Sequence, residues 1–448
     1  MKLSRKIATG LVAALAFTGA SAGVSHAAVT ITGSGSTFIK NLFDACGPTW
    51  NDTNAADATV SYSGGGSGAG RTAFTGGSVN FAGTDSTYAS SDTPPSDYTY
   101  VPIIAGPVAI LYKNNSYAGT LKLSASTLAK IFSGAITNWS DADITADNGS
   151  ALSSKTIVVV YRSDSSGTSS GFTSYLNAAA PTVWTKAGSS TFTSSAPSGA
   201  PTGSQAKSGS DGVTNYVAAT DGAISYAELS YQLEASADGV KSAYVKNAAG
   251  TAIKPTSVSA AAAASAIPTA NFNETTGFIN PDFTTSVATA YPITIFSFGI
   301  AHKTYSAAND SVKDFLNYSL TTCASAQAPS LGYATLTSTA LTFAKKRLAL
   351  VSSESRPAAA TTTTTTLAPV KGVSVKVGKT ISALTVAKGS KLTIATTAKV
   401  TLKVTSGDKV CKVVGATLKG LKKGTCKVLA TVKTGTKTAT ATVTVTVS

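Results

Sequence analysis

Residues 162–168 carry the chemical groups that bind an oxyanion. They follow the apolar residues 157–161, which predict a strand, and they precede a stretch with the pattern of a helix. The first N–H groups of a helix have no partner inside it, so Ser166, Gly167 and Thr168 would let an anion approach them closely. Arg162 adds a positive charge and a planar fork of donors. We therefore expect a tetrahedral anion to bind at this turn.

Two loops upstream have the same character. Residues 33–38, GSGSTF, follow a predicted strand at 29–32 and precede a helix-like stretch. Residues 62–70, YSGGGSGAG, follow a second predicted strand and are succeeded by VNFAGTD at 79–85. Taken singly, each loop is more simply interpreted as a turn or a helix cap. Together the three loops could converge on one ligand, because ligands bind outside the carboxyl ends of strands in open α/β sheets.

The order of these motifs is more specific than any one of them. GSGSTF, then GGGS, NFAGTD and RSDSSGT, resembles the phosphate-binding protein family of the high-affinity phosphate ABC uptake system. Similar motifs continue at residues 128–134, 136–139, 209–213, 222–226 and 291–294. The resemblance covers roughly residues 30–350 and does not extend beyond them.

The resemblance implies a set of phosphate ligands wherever the motifs match. Hydroxyl groups would donate protons to the anion, and backbone N–H groups at Phe38 and Gly167 would complete the cage. The implied phosphate-binding residues are Thr37, Phe38, Ser67, Asp85, Arg162, Ser166, Gly167 and Thr168. Asp164 either holds the Arg162 guanidinium in place or is an ordinary turn residue.

Asp85 is unusual in this set, because a carboxylate should repel an anion unless the ligand brings a proton to donate. Phosphate carries such a proton and sulfate does not, so an acceptor here would favour phosphate over sulfate. An aspartate that caps a turn or a helix is the alternative interpretation. The sequence departs from the family at Gly68, where a second serine is common, and at Ser165, where glycine is common.

The alternation of strand-like and helix-like segments from 29 to 346 predicts an α/β fold, with strands near 101–112, 157–161 and 293–301. The resemblance implies a two-lobe, periplasmic-binding-protein-like fold of type II with two hinge crossings. The two-lobe domain would span 28–350, with lobe one at 28–104 plus 292–346 and lobe two at 105–291. Crossings near 102–106 and 290–294 would let the lobes close on a ligand.

The composition changes at residues 351–370, a Thr/Pro/Ala-rich linker with six consecutive threonines. Residues 371–448 alternate apolar and polar positions between glycine turns, which predicts a small all-β sandwich. The segments VCKV at 410–413 and GTCKV at 424–428 resemble bacterial immunoglobulin-like modules. We therefore expect a separate C-terminal domain at 371–448.

The formal charge of +15 is concentrated in that C-terminal domain, which holds 15 lysines and one aspartate. Residues 28–370 carry 18 basic and 20 acidic side chains. The charge therefore does not indicate a nucleic-acid partner, and the two-lobe domain must capture an anion by local geometry rather than by its overall field.

The chain begins with basic residues, an apolar stretch and small residues before Ala28, which indicate a signal peptide at 1–27. No cysteine follows the apolar stretch to accept a lipid anchor, and no later segment is long and apolar enough to span a membrane. We expect the mature protein to be secreted or extracytoplasmic, either free or associated with the cell wall.

The four cysteines of an exported chain favour two disulfides. Three pairings are possible on paper. The division into domains and lobes favours Cys46 with Cys323 and Cys411 with Cys426.

A hydrolase is the competing class, since the G-x-S-x-G pattern of a nucleophile elbow occurs at 167–171. The predicted strand ends at Tyr161, however, whereas an elbow turns directly off its strand. A triad through Ser169 would need His302 as its base, and a lone histidine is more often structural. No His/Cys cluster has the spacing of a metal site. We expect no enzymatic activity, no cofactor and no metal.

These patterns predict an extracytoplasmic solute-binding protein that captures inorganic phosphate between two lobes and presents it to an ABC permease in the membrane. Another tetrahedral oxyanion, such as sulfate or molybdate, is the alternative ligand, against which Asp85 argues. The alternative role is a wall-associated adhesion or phosphate-scavenging protein without permease coupling. In that role the lysines of 371–448 would contact anionic wall polymers, although a solvated surface on an inert module explains them equally well.

Overall fold

The computed structural model describes residues 28–356, 367–388, 398–434 and 437–448. The predicted signal peptide at 1–27 and the threonine run at 361–366 lie outside the described residues. The chain divides into two compact units between Glu354 and Ser355. Within the described ranges, no helix combines the length and the apolar character needed to cross a bilayer.

The first unit alternates strands and helices along the chain, as α/β proteins do. Its strands are β1 (Val29–Gly35), β2 (Ala58–Ser63), β3 (Phe81–Thr84), β4 (Tyr98–Tyr112), β5 (Lys122–Leu123), β6 (Val158–Arg162), β7 (Gln205–Lys207), β8 (Ala223–Glu228), β9 (Lys241–Lys246), β10 (Ala252–Ile253), β11 (Thr294–His302) and β12 (Ala334–Thr335). Its helices are α1 (Lys40–Asn54), α2 (Ser67–Thr75), α3 (Ala125–Ser133), α4 (Ala142–Asn148), α5 (Gly167–Ala179), α6 (Phe192–Ser195), α7 (Gly209–Ala219), α8 (Leu229–Glu234), α9 (Ser257–Ser265), α10 (Ala307–Tyr318), α11 (Ala324–Gln327) and α12 (Ser338–Leu350).

The main sheet runs through both lobes in the order β2-β1-β3-β11-β4-β8-β6-β7. β1 pairs in parallel with β2 and with β3, whereas β11 is antiparallel to both β3 and β4. Parallel strands end at the same edge of a sheet, so the loops after β1, β2 and β3 open on one side of lobe one. On the other side of the hinge, β6 is parallel to β7 and β8.

β4 carries the chain from one lobe to the other. Its residues 98–107 pair with β11, and Val108 to Tyr112 pair with β8. Nearly the whole strand is buried, which explains its long apolar run. The N–H of Val108 donates to the carbonyl oxygen of Ile293 (2.8 Å), just before β11 begins. The two crossings therefore lie side by side, close to the predicted positions.

The predicted boundary of lobe two needs correction around α9. The sequence predicts that residues 105–291 form lobe two, but α9 contacts β4, β11, β12 and α12. The residues that follow it also bind lobe one, because the N–H of Tyr100 donates to Thr276 O (2.9 Å) and Arg347 Nη1 donates to Glu274 O (2.7 Å). The alanine-rich helix buries only small side chains, so its sequence does not indicate which lobe it packs against.

A disulfide joins the first helix of lobe one to a late segment of the same lobe. Cys46 in α1 is bonded to Cys323, with their Cα atoms 5.7 Å apart. Helices α1 and α10 pack through aromatic rings, since Phe315 lies 5.3 Å from Phe43 and 5.6 Å from Trp50 between ring centroids. The pairing is the one that the division of the sequence into lobes favours.

In the second unit, residues 367–388, 398–434 and 437–448 form two β-sheets and one short helix. Its elements are β13 (Leu367–Val375), β14 (Thr380–Ser382), α13 (Ala383–Lys388), β15 (Lys399–Ser406), β16 (Cys411–Val414), β17 (Thr417–Gly420), β18 (Gly424–Thr434) and β19 (Lys437–Val447). One sheet has the order β13-β19-β18-β15 and the other β14-β17-β16. The disulfide between Cys411 in β16 and Cys426 in β18 joins the two sheets, and Leu418, Val428 and Val443 are buried around it.

The boundary of the predicted linker needs correction. β13 begins at Leu367, so the end of the predicted linker at 351–370 is a strand, and residues up to Glu354 belong to the first unit. A short helix, α13, accompanies the strands: Ala383, Val386 and Ala387 are buried at the spacing of one helix face, and α13 packs against β15 and β18. The resemblance to immunoglobulin-like modules stays a prediction.

Candidate anion-binding site

The carboxyl ends of strands in both lobes bring the three predicted loops together. Gly167 opens α5 in lobe two, with four residues between it and the end of β6, and it faces residues of lobe one. A Cβ built on Gly167 would lie 2.5 Å from Ser67 Oγ, at the start of α2, and 2.7 Å from Asp85 Cβ, after β3. Real Cβ atoms do not approach other atoms so closely, so only glycine fits here while the lobes are closed. The site therefore spans the cleft.

Asp85 is a buried carboxylate surrounded by serine hydroxyls. Ser36 Oγ lies 2.7 Å from both carboxylate oxygens, Ser297 Oγ lies 2.5 Å from Oδ1, and Ser67 Oγ lies 3.3 Å from Oδ2. Burial raises the pKa of Asp85 to about 6, against the opposing effect of these hydroxyls and of Arg162. All three serine hydroxyls can donate to this carboxylate. It is a fixed acceptor at the base of the site.

Asp164 holds the Arg162 guanidinium from two sides. Arg162 Nε donates to Oδ1 (2.7 Å) and Nη2 donates to Oδ2 (2.5 Å), and the N–H of Gly209 also donates to Oδ1 (3.0 Å). Burial alone would raise the pKa of Asp164, but the hydrogen bonds and the charge of Arg162 outweigh it and lower the pKa. Arg162 is itself buried, and its two hydrogen bonds to Asp164 fix the orientation of the guanidinium. These contacts favour the positioning role of Asp164 over the plain turn.

The first turn of α5 presents backbone donors to the same cleft. Ser166 is the N-cap of the helix, and its Oγ accepts the N–H of Ser169 (3.1 Å), which leaves its own proton to donate elsewhere. Gly167 and Thr168 are the first two helical residues and are buried. N–H groups in this position have no acceptor within the helix and attract anions.

Thr37 and Phe38 are partly engaged by other protein groups. The N–H of Phe38 donates to Ser36 Oγ (3.0 Å), and its carbonyl oxygen accepts the Tyr333 hydroxyl (2.5 Å). Thr37 Oγ1 lies 2.9 Å from Ser210 Oγ. In this arrangement Phe38 orients Ser36, and through it Asp85, rather than presenting a free N–H as the resemblance implies.

Sequence reasoning missed four polar residues of the site: Ser36, Ser210, Glu228 and Ser297. Ser36 lies inside the GSGSTF motif and Ser210 inside the motif at 209–213, but nothing in those motifs distinguishes their roles. Ser297 is an isolated serine inside the apolar strand β11. Glu228 is the one charged residue in the otherwise uncharged strand AISYAE, at the carboxyl end where ligand groups collect, and that position was the available signal.

The lobes are closed against each other in the structure. The N–H of Gly68 donates to the carbonyl oxygen of Ser165 (2.8 Å), which joins α2 to the loop before α5. Asn41 Nδ2 in α1 donates to Glu234 Oε1 (2.9 Å) and to Ser230 Oγ (3.1 Å) in α8. These bonds seal the cleft around the anion site from two sides.

A family model described as a PBP superfamily domain matches residues 20–322 of the chain. The chain belongs to the PBP superfamily. This PBP domain includes all the site residues described above, from Ser36 to Ser297, and ends before the second unit begins.

Proteins named as phosphate-binding proteins are similar to part of this PBP chain. Phosphate-binding protein PstS 2 of Mycobacterium tuberculosis is 39% identical over 182 residues, which cover 39% of this chain and 47% of the relative. Phosphate-binding protein PstS 3 of Mycobacterium leprae is 37% identical over 180 residues, covering 39% and 47% respectively. The chain thus spans about half the length of these relatives. A solved high affinity periplasmic phosphate-binding protein, PfluDING, bound with phosphate, has 27% identity and a TM-score of 0.57, over 71% of this chain and 92% of that one.

The residues of the hydrolase alternative have other partners in the PBP domain. Ser169 Oγ lies 2.7 Å from the hydroxyl of Tyr226, and His302 Nδ1 lies 2.9 Å from Asp97 Oδ1. The His302 ring stacks on Phe74, 4.3 Å between centroids. Across the described ranges, no three His, Cys, Asp or Glu side chains are grouped to hold a metal ion.

Proposed function

We propose that this PBP domain captures inorganic phosphate between its two lobes, and that the protein works outside the cytoplasm and delivers the phosphate to an ABC permease. The environment of Asp85 carries the proposal. A buried acceptor lies opposite a guanidinium and a helix N-terminus, a combination that suits an anion which still holds a proton.

Hydrogen phosphate can bind both the donor groups and the acceptor of such a site. Its unprotonated oxygens can accept from Arg162 and from the first turn of α5, while its own proton is donated to Asp85. Sulfate has no proton at neutral pH and would place an oxygen against the carboxylate. A hydrogen bond to a charged group contributes about 1.5–3 kcal/mol, so this difference corresponds to roughly 10–150-fold in affinity.

The relatives support the same ligand and setting. PstS 2 and PstS 3 are phosphate-binding proteins by name, and PfluDING is described as periplasmic and bound with phosphate. The match covers about half the length of each mycobacterial relative. Delivery of phosphate to a permease is therefore proposed for this chain and is not taken over from those relatives.

Calorimetric titration of the phosphate-stripped full chain tests the ligand. We expect the wild type to bind phosphate tightly, and we expect that excess sulfate or molybdate does not displace the phosphate. Asp85→Asn should lose the discrimination between phosphate and sulfate. Asp52→Asn, an exposed carboxylate on α1, is the matched control and should behave as wild type. Tight sulfate binding by the wild type would contradict the assignment, as would undiminished discrimination in Asp85→Asn.

We also infer that the second unit contacts anionic cell-wall polymers through the outer face of its larger sheet. Lys399 in β15 lies directly opposite Lys433 in β18, and Lys403 and Lys427 are exposed on the same face. Like charges opposite each other destabilise a sheet, so an anionic partner would reduce the repulsion between these lysines. Asp408 is the one acidic residue in 371–448, which leaves the lysines without internal counter-charges.

Co-sedimentation with insoluble cell-wall material at low and high salt tests this contact. The full chain should sediment at low salt and be released at high salt, because such attraction is screened within about 10 Å at 0.1 M salt. Replacement of Lys399, Lys403, Lys427 and Lys433 by glutamine should abolish sedimentation without changing phosphate affinity. Free diffusion of the wild type at low salt would contradict the contact.

A further inference from the structure

Ser210 connects the proposed phosphate site to a carboxyl group that the chemistry above does not use. Ser210 lies in the first turn of α7 and is fully buried. Its Oγ is 2.9 Å from Thr37 Oγ1 in lobe one, 3.1 Å from Arg162 Nη1 and 2.8 Å from Glu228 Oε2. The N–H of Ser210 also donates to Thr37 Oγ1 (3.2 Å). A chain of short hydrogen bonds thus runs from Glu228 to Thr37.

The number of protons available to this chain of hydrogen bonds determines to which neighbour each hydroxyl group donates. Arg162 and the N–H of Ser210 can only donate, and each serine or threonine hydroxyl has one proton. If Glu228 is ionised, Ser210 donates to Glu228, so the bond between Ser210 and Thr37 must use the Thr37 proton. Thr37 then has no proton left for a ligand.

A protonated Glu228 reverses the order. Glu228 then donates to Ser210, and Ser210 donates its own proton to Thr37. The Thr37 hydroxyl becomes free to point its proton at an anion held by Arg162 and the first turn of α5.

We propose that Glu228 is a positioning residue for the phosphate site, and that phosphate binds with full affinity only when Glu228 holds a proton, because only then can Thr37 donate to the ligand. Glu228 acts through Ser210. The inference rests on the proposed function. Where Glu228 is ionised in the free protein, one proton is taken from solvent with each phosphate bound and forms the O–H bond of the Glu228 carboxyl group; no other covalent bond changes.

The surroundings of Glu228 favour the protonated form. The side chain is fully buried, and its Oε1 has no hydrogen-bond partner among the described residues. Burial raises the pKa of Glu228 to about 8, opposed by its own backbone N–H, the Ser210 hydroxyl and Arg162, and assisted by repulsion from Asp85. An ionised Glu228 would also place a further negative charge beside an anion site.

Few groups could offset that charge. Glu228 interacts electrostatically with Arg162, Asp85, Tyr231 and Tyr333. Both tyrosines are neutral, because burial raises the pKa of each hydroxyl further above its ordinary value. Of these four, Arg162 is the one cation, and it is already paired with Asp164.

Calorimetric titration of the full chain with inorganic phosphate measures the proton count. Titrations at about pH 6.5 and about pH 8.5, in buffers of different ionisation enthalpy, report the protons taken up with each phosphate. We expect uptake at the higher pH, with affinity falling up to about tenfold per pH unit above the pKa of Glu228. In Glu228→Gln the amide donates permanently to Ser210, so this variant should lose that uptake and bind phosphate more tightly than wild type at the higher pH.

Ser210→Ala distinguishes the hydroxyl chain from the charge of Glu228. Without the Ser210 hydroxyl, Glu228 no longer reaches Thr37, so the pH profile should flatten as it does in Glu228→Gln. A profile as steep as that of wild type would overturn the relay and assign the effect to charge alone. Glu274→Gln, an exposed carboxylate paired with Lys346, is the matched control and should keep the wild-type profile.

The wild-type proton count keeps the test independent of how the variants fold. Absence of uptake by the wild type at the higher pH overturns the inference, as does equal uptake in wild type and Glu228→Gln. Absence of phosphate binding at both pH values would instead overturn the proposed function, so the two failures are distinguishable.

Discussion

Gly68 of lobe one faces Ser165 of lobe two so closely that only one of the two positions can carry a side chain. The N–H of Gly68 donates to Ser165 O (2.8 Å), and a Cβ built on Gly68 would lie 2.3 Å from Ser165 Oγ and 2.4 Å from Ser165 Cβ. These are the two positions where the sequence departs from the pattern of the family that it resembles, in which serine is common at position 68 and glycine at position 165. Only one hydroxymethyl group fits at this contact, and this chain carries it on lobe two.

Exchanging the two residues should therefore restore what each single change removes. Gly68→Ser alone overpacks the closed cleft, at a cost of about 1–3 kcal/mol, and should weaken phosphate binding roughly 10-fold or more. Ser165→Gly alone leaves a gap and should have a smaller effect. The double variant should bind within about threefold of wild type, which gives a coupling energy well above the few tenths of a kcal/mol typical of independent sites. Additive losses in calorimetry would show that the two positions do not interact.

Gly167→Ala should impair closure without impairing the fold. The added methyl group would meet Ser67 Oγ and Asp85 Cβ, which belong to the opposite lobe, so the clash exists only when the lobes are closed. We expect an affinity loss of at least about 10-fold, equivalent to about 1.4 kcal/mol, and an unchanged Tm in the absence of phosphate. Gly212→Ala is the matched control, because a Cβ there makes only ordinary contact with Lys207, at 3.5 Å. A large fall in the phosphate-free Tm of Gly167→Ala would mean that the clash lies within one lobe.

The parts of the site that the sequence could predict are those written in contiguous motifs. The loops of 33–38, 62–70 and 162–168 each combine a strand end, glycine and hydroxyl residues, and their chemistry follows from local structure alone. The residues that complete the environment of Asp85 do not share this property. Ser297 lies 212 positions away, in a strand whose pairing with β3 and β4 brings it beside the carboxylate. A single serine in an apolar strand carries no local signal of that contact.

The same limit explains the corrected lobe boundary and the missed carboxyl group. α9 buries alanine side chains, which fit against many surfaces, so its position depends on the rest of the fold. Glu228 takes its importance from Ser210, Arg162 and Thr37, which come from three other elements of both lobes. Only the assembled cleft shows that these groups form one hydrogen-bonded chain.

Glu228 should make the ligand-free protein less stable as the pH rises. Because its pKa in the folded protein is raised to about 8, its contribution to the free energy of unfolding is fully present below the unfolded pKa of about 4.3 and is lost as the pH rises through 8. Asp85, with a pKa of about 6, acts in the same direction over a narrower range. Urea unfolding in phosphate-free buffer should show stability falling between about pH 4.5 and pH 8, by an amount on the order of a few kcal/mol.

Glu228→Gln should remove most of that decline, because the amide does not titrate. Ligand-free Glu228→Gln should therefore be at least as stable as wild type at about pH 8, although a buried hydrogen-bonding group has been changed. Glu274→Gln, on the surface, should leave the decline in place. A Glu228→Gln protein whose stability falls with pH as steeply as that of wild type would show that Glu228 is ionised throughout this range.

The two disulfides should stabilise different units and leave the anion site unchanged. Cys46 and Cys323 are 277 positions apart in the first unit, whereas Cys411 and Cys426 are 15 apart in the second. Closing a loop of about 15 residues contributes roughly 3 kcal/mol through the entropy of the unfolded chain, and a longer loop contributes more. Cys46→Ser with Cys323→Ser should lower the Tm of the first unit strongly, and Cys411→Ser with Cys426→Ser should lower that of the second.

Calorimetric scans distinguish the unfolding transitions of the two units. Phosphate titration at a temperature below both transitions should give affinities within about threefold of wild type. A large affinity loss in the first pair would mean that the disulfide holds α1 and its preceding loop in the geometry of the site, which would assign Cys46 a role in positioning Thr37.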